Sequence, residues 1–212
     1  MRIKICGITR EADGILASSL GAWALGFIFY QKSPRYIEPH RAKAIIDTVR
    51  QQADSPPKMV GVFVNSPEDQ VRQIQKELAL ELLQFHGDEG PQVLNQFPGH
   101  IRAVRLHPEG MAELQNLPDA MSYLLVDAAV KGHYGGTGTL SDWSLAKEAK
   151  SVGKALILSG GLNASNILQA WTELAPFALD LSSGVEEEFG IKSHEKLREL
   201  FKIKEVFDAG PT

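Results

Sequence analysis

Residues 59–78 read MVGVFVNSPEDQVRQIQKEL, and this stretch decides the fold. Met59–Val64 is apolar throughout and rich in β-branched side chains. A run without polar alternation suits a strand covered on both faces, as in a parallel sheet. Ser66-Pro67-Glu68 then supplies a polar start, and Val71–Leu78 carries its apolar residues at helical spacing. A buried strand followed at once by an amphipathic helix is one crossover unit of an α/β protein.

The unit recurs in both directions along the chain. Strands are predicted at Ile3–Cys6, Ala24–Phe29, Met59–Val64, Leu82–Phe85, Ile101–Arg105, Tyr123–Asp127, Ala155–Leu158 and Phe177–Leu181. Pro39 opens a helix over Arg41–Val49, Asn163 opens one over Ala164–Trp171, and His194–Phe207 closes the pattern. Eight strand–helix units of about 25 residues each make a short version of the fold whose usual length is ~250 residues. An open doubly wound sheet would leave two edges to protect, and no terminal strand here is short, charged or broken by proline. The expected architecture is therefore a single (β/α)8 TIM barrel over residues 1–207. Gln51–Lys58, with Pro56-Pro57, reads as a loop within it, and 208–212 as a frayed tail.

Composition narrows the function classes. The 212 residues are 43% hydrophobic, too apolar for a disordered chain. The longest nearly unbroken apolar run, Gly21–Phe29, is far short of the ~18 residues of a membrane span. No export signal is visible at the start of the sequence, and one cysteine fits a reducing compartment, so a cytoplasmic protein is expected. The formal net charge of −4, with both signs interspersed, gives no footprint for nucleic acid or membrane.

In such a barrel the active site lies beyond the C-terminal ends of the strands. Cys6 ends the first strand, Arg105 the fifth and Asp127 the sixth, while His86 follows the fourth. Lys32-Ser33-Pro34-Arg35-Tyr36 forms the loop after the second. Gly135-Gly136-Thr137-Gly138, Ser159-Gly160-Gly161 and Ser182-Ser183-Gly184 follow strands six, seven and eight. Loops seven and eight commonly hold phosphate in this fold, because glycines let an anion reach the backbone N–H groups; the plain alternative is two tight turns. Cys6 reads either as a small buried hydrophobe or as a thiol at the mouth. Asp127 must pair inside the barrel or face the mouth. Arg35 is a surface cation or a bidentate clamp for a carboxylate. No Walker or dinucleotide motif occurs, and no His or Cys spacing supports a metal.

Taken in order, the motifs are similar to those of a known family. They are Lys4-Ile5-Cys6-Gly7-Ile8-Thr9, Ser33-Pro34-Arg35-Tyr36-Ile37, Gly61-Val62-Phe63-Val64-Asn65, Gln84-Phe85-His86-Gly87 and Leu125-Val126-Asp127. Then come Gly135-Gly136-Thr137-Gly138 with Asp142-Trp143, Leu158-Ser159-Gly160-Gly161-Leu162, and Asp180-Leu181-Ser182-Ser183-Gly184-Val185-Glu186. From residue 2 to about 205 the chain resembles the phosphoribosylanthranilate isomerases of tryptophan biosynthesis. The resemblance implies a cofactor-free Amadori rearrangement of N-(5′-phosphoribosyl)anthranilate to 1-(2-carboxyphenylamino)-1-deoxyribulose 5-phosphate. It implies Asp127 as the general acid that opens the ribose and Cys6 as the general base at C2′, with nearby anion-binding dipoles favouring the thiolate. It assigns Arg35 to the anthranilate carboxylate, and Ser159, Gly160, Gly161, Ser182, Ser183 and Gly184 to the phosphate. Lys4, His86, Arg105 and Asp180 are further candidates at the same mouth.

The chain departs from the family pattern at Thr139 and Ser141, where Lys and Phe are common, and at Phe85, where Leu is usual. Phe189-Gly190-Ile191-Lys192-Ser193 stands where the family often has Pro-Gly-x-Lys-Asp. The expected partner is a small phosphoribosyl substrate, bound by a monomer or a homodimer. Two alternatives are another phosphoribosyl-handling barrel isomerase and a sugar-phosphate-binding barrel without catalysis. The first calls for several lysines or paired aspartates at the mouth; the second has no need of both Cys6 and Asp127.

Overall fold

A computed structural model describes residues 1–105, 114, 117–127 and 143–210. Eight parallel strands close into a barrel in chain order: β1 (Ile3–Cys6), β2 (Ala24–Ile28), β3 (Lys58–Phe63), β4 (Leu82–Phe85), β5 (Ile101–Arg105), β6 (Tyr123–Asp127), β7 (Ala155–Ser159) and β8 (Ala178–Leu181). Around it lie α1 (Glu11–Ser19), α2 (Pro39–Gln52), α3 (Glu68–Leu78), a single turn α4 (Pro91–Leu94), α5 (Ser144–Ala149), α6 (Ile167–Leu174) and α7 (His194–Ala209). Each strand runs the same way as its neighbours because a helix or loop carries the chain back outside, as the alternation of buried strand and amphipathic helix requires. The helices bury residues three and four apart against the strands: Ile45, Ile46 and Val49 on α2, Val71, Ile74 and Leu78 on α3, and Leu197, Leu200 and Phe201 on α7. Among the described residues, no helix is long and apolar enough to cross a membrane.

Two local expectations are corrected. α6 starts at Ile167 rather than at Ala164, because Asn163 turns the chain instead of capping it. Its Oδ1 accepts from Ser165 N at 2.8 Å, and its own N–H donates to Asn166 Oδ1 at 2.9 Å. After β8 a 3-10 turn, Ser183–Val185, leads into a hairpin of β9 (Glu186–Glu188) and β10 (Ile191–Lys192) before α7 begins. Ser193, where the family pattern has Asp, accepts the Lys196 N–H and caps α7. That helix runs through Asp208, which bridges Lys204 at 2.8 Å, to Ala209; Pro211 and Thr212 lie outside the described residues.

The register sorts the interior into an apolar floor and a polar mouth. Lys4 pairs with Ala24, and Cys6 with Gly26. Arg105 pairs with Asp127, and Asp127 with Ser159. Ala24, Val60, Ile101, Ala103, Leu125, Ile157 and Ala178 form the buried inner cluster. Side chains two residues on from these, one step nearer the C-terminal ends, share their inward face. That parity places Arg105, Asp127, Ser159 and Asp180 over the floor. The opposite end is stoppered by Trp23, Tyr123 and Phe177, with ring centroids 5.3–6.0 Å apart.

Candidate active site

Cys6 is the last residue of β1, and its Sγ has room only because β2 has a glycine opposite. A Cβ on Gly26 would stand 2.8 Å from that sulfur. Two residues earlier on the same face, Lys4 is fully buried and donates to Asp180 Oδ1 at 2.9 Å. Such a pair is retained where breaking it would strand a charge. Burial acts to lower the Lys4 ammonium, but Asp180 and Cys6 outweigh it and leave it above its ordinary value. Burial likewise pushes the Cys6 thiol up, and Lys4 and Lys192 oppose that push. The cations that favour a thiolate are the Lys4 and Lys192 ammoniums, while Asp180 adds to the upward push.

Arg35, from the loop after β2, points across the mouth to the hairpin. Its Nε donates to Glu186 Oε1 at 2.8 Å and to Oε2 at 3.1 Å, and its Nη2 donates to Oε2 at 2.6 Å. Its guanidinium also lies over the ring of Phe189, 5.0 Å from the centroid. The Nη1 group has no hydrogen-bond partner among the described residues. The bidentate edge of the guanidinium, Nε and Nη2, is thus spent on the protein's own Glu186.

Loops seven and eight meet backbone to backbone. A Cβ on Gly184 would lie 1.9 Å from the carbonyl oxygen of Leu162, so only glycine allows this approach. The N–H groups of Gly160, Gly161, Ser183 and Gly184 have no acceptor among the described residues. Ser182 Oγ donates to the Cys6 carbonyl at 3.1 Å and ties loop eight to β1. Unspent backbone N–H donors on two loops that meet are the donors an anion-binding rim requires.

His86 sits behind the mouth. Its Nδ1 is 3.2 Å from Nε2 of the buried Gln84. Burial lowers its pKa; Arg105 acts in the same sense, while Asp127 and Asp180 oppose it, placing all of these within electrostatic reach. Arg105 is exposed at the rim and Asp127 half-buried. Every predicted site residue is therefore at one end of the barrel. Gly135–Gly138, with Thr139, Ser141 and Asp142, lies outside the described residues. Sequence reading passed over three groups: Gln84, Lys192 and Glu186, which is 5% exposed at its side chain and binds both Arg35 and Lys192.

The family model for N-(5′-phosphoribosyl)anthranilate isomerase matches residues 3–203. The chain belongs to that family. A curated relative of the same name from Dechloromonas aromatica is 43% identical over 200 residues, covering 92% of each chain. The phosphoribosylanthranilate isomerase crystal structure from Thermotoga maritima superposes with a TM-score of 0.87 at 34% identity, covering 97% of this chain and 100% of that one. A further structure, at a TM-score of 0.82 and 33% identity, covers the same shares and holds the reduced product, 1-(o-carboxyphenylamino)-1-deoxyribulose 5-phosphate. As an isomerase of this family, the protein acts in tryptophan biosynthesis.

Proposed function

We propose that the mouth performs the family's rearrangement with Asp127 as general acid and Cys6 as general base. The observation that carries this reading is the register, which turns both groups inward at the same end, between an anion cradle and an arginine with one edge unspent. Asp127 protonates the ribose ring oxygen, the C1′–O bond breaks, and the nitrogen lone pair forms the protonated Schiff base. Cys6, as thiolate, takes the C2′ proton; that C–H pair becomes the C1′–C2′ double bond, and the iminium pair returns to nitrogen as the enolamine. Gain of a proton at C1′ and loss of the C2′ hydroxyl proton give the amino-ketose. The cradle of loops seven and eight holds the phosphate and Arg35 the anthranilate carboxylate, which fixes the sugar carbons between the two groups.

Every group in this scheme comes from one chain, so a monomer and a homodimer serve it equally. A free thiol as base suits a reducing compartment, which supports the reading of a cytoplasmic enzyme. The test is direct: anthranilate-type fluorescence is followed with freshly formed phosphoribosylanthranilate. Rapid loss of signal, competitively slowed by inorganic phosphate, is expected. Turnover of other phosphoribosyl aminoaldoses but not of this substrate would move the chain to the alternative isomerase; binding without turnover would make it a sugar-phosphate-binding barrel.

A further inference from the structure

We infer that Glu186 is a positioning residue that joins the two halves of the site: it fixes the Arg35 fork on one side and holds the buried Lys192 ammonium beside Cys6 on the other. The inference rests on the reading of Cys6 as base and Arg35 as carboxylate clamp. Glu186 spends both oxygens. Oε2 accepts from Arg35 Nε and Nη2 at 3.1 and 2.6 Å. Oε1 accepts from Arg35 Nε and Lys192 Nζ, both at 2.8 Å, and from Gly190 N at 3.2 Å. No other carboxylate among the described residues bonds either cation.

Lys192 is wholly buried, and its remaining Nζ contacts are neutral: Ser182 O at 3.3 Å and Ser182 Oγ at 3.4 Å. Its backbone is held by its N–H to Asp13 Oδ2 at 3.0 Å and by Arg10 Nη2 to its carbonyl at 3.1 Å. Three charged groups face Cys6: Lys4 from its own strand, Asp180 from β8 and Lys192 from β10. Glu186 from β9, Cys6 and Arg35 face Lys192. Burial already holds that ammonium below its ordinary value against the pull of Glu186. Without the carboxylate, burial is opposed by one anion fewer and the Lys192 ammonium falls further below its ordinary value. Cys6 then has less cationic support from Lys192, and Lys4 is balanced by Asp180.

One substitution should therefore disturb both ends of the substrate site. Cys6 is the single cysteine, so its thiolate absorbance, with Cys6→Ser as blank, reports its titration without any turnover. In Glu186→Gln the thiol midpoint should rise by about one pH unit, and KM should rise as Arg35 loosens. Glu186→Asp should recover part of both. Lys192→Met should reproduce the thiol shift with little change in KM, and Arg35→Lys should raise KM with the thiol midpoint in place. If Glu186→Gln does not fold, Lys192→Met and Glu186→Asp decide. An unmoved thiol midpoint in the folded Lys192→Met variant overturns the inference, even if the wild type isomerises its substrate. A wild type that does not isomerise it counts instead against the proposed function.

Discussion

Replacing Gly184 by alanine puts the phosphate assignment under the sharpest strain. The new Cβ would begin 1.9 Å from the Leu162 carbonyl oxygen, a backbone atom that cannot rotate away. An unstrained carbon–oxygen contact needs about 3.3 Å, so loops seven and eight must part by roughly 1.4 Å. Overpacking of this kind costs about 1–3 kcal/mol, which urea unfolding will read. The functional effect is larger if these loops hold the phosphate, since a misplacement of about 1 Å can cost on the order of 10²-fold. Inhibition by inorganic phosphate and KM for phosphoribosylanthranilate should each weaken tenfold to a hundredfold (about), while the Cys6 thiol midpoint stays in place. A variant with the expected loss of stability but unchanged phosphate inhibition and KM would refute the placement.

Three further outcomes follow from named contacts. Arg35→Lys keeps a charge but loses the fork on Glu186 and the stack on Phe189, so KM should rise on the order of tenfold or more; unchanged kinetics would remove Arg35 from the site. Phe189 is 70% exposed, and its only described role is that stack, so Phe189→Ala should raise KM by ~2- to 5-fold with stability unmoved. A drop in stability instead would make it a packing residue. Burial holds His86 and His100 below the ordinary imidazole value of 6.5. The unfolded chain then binds protons that the folded chain refuses as pH falls below that value, so stability is full above it and declines beneath it. Urea midpoints should drop between about pH 7.5 and 5.5, and His100→Gln should flatten the slope; a level profile in the wild type would contradict the burial argument.

The barrel was legible because its strands are continuous apolar runs. β1, β4, β5 and β6 match the sequence reading to the residue; β2, β7 and β8 differ by one residue at one end, and β3 by one residue at each end. The hairpin after β8 was not legible. Glu186-Glu187-Glu188 has no apolar alternation, and Ile191-Lys192 is too short to show any, so nothing in the segment signals paired strands. Glu186 was hidden for the same reason: a glutamate in an acidic run looks solvated until Arg35, 151 positions away in sequence, folds onto it. One signal was available, since two cations and a carboxylate around a candidate thiol invite a search for pairing. The direction of the Cys6 shift was out of reach, because it depends on burial and on lysines from β1 and β10 together.

The central claim is that the Cys6 thiolate removes the C2′ proton. The measurement that meets it most directly is turnover of phosphoribosylanthranilate by Cys6→Ala, with binding of the reduced product measured in parallel. Loss of turnover on the order of 10²–10⁴-fold or more, with binding retained, is the result expected of a missing general base. Near-normal turnover by Cys6→Ala would contradict the account and return Cys6 to the role of a small buried hydrophobe.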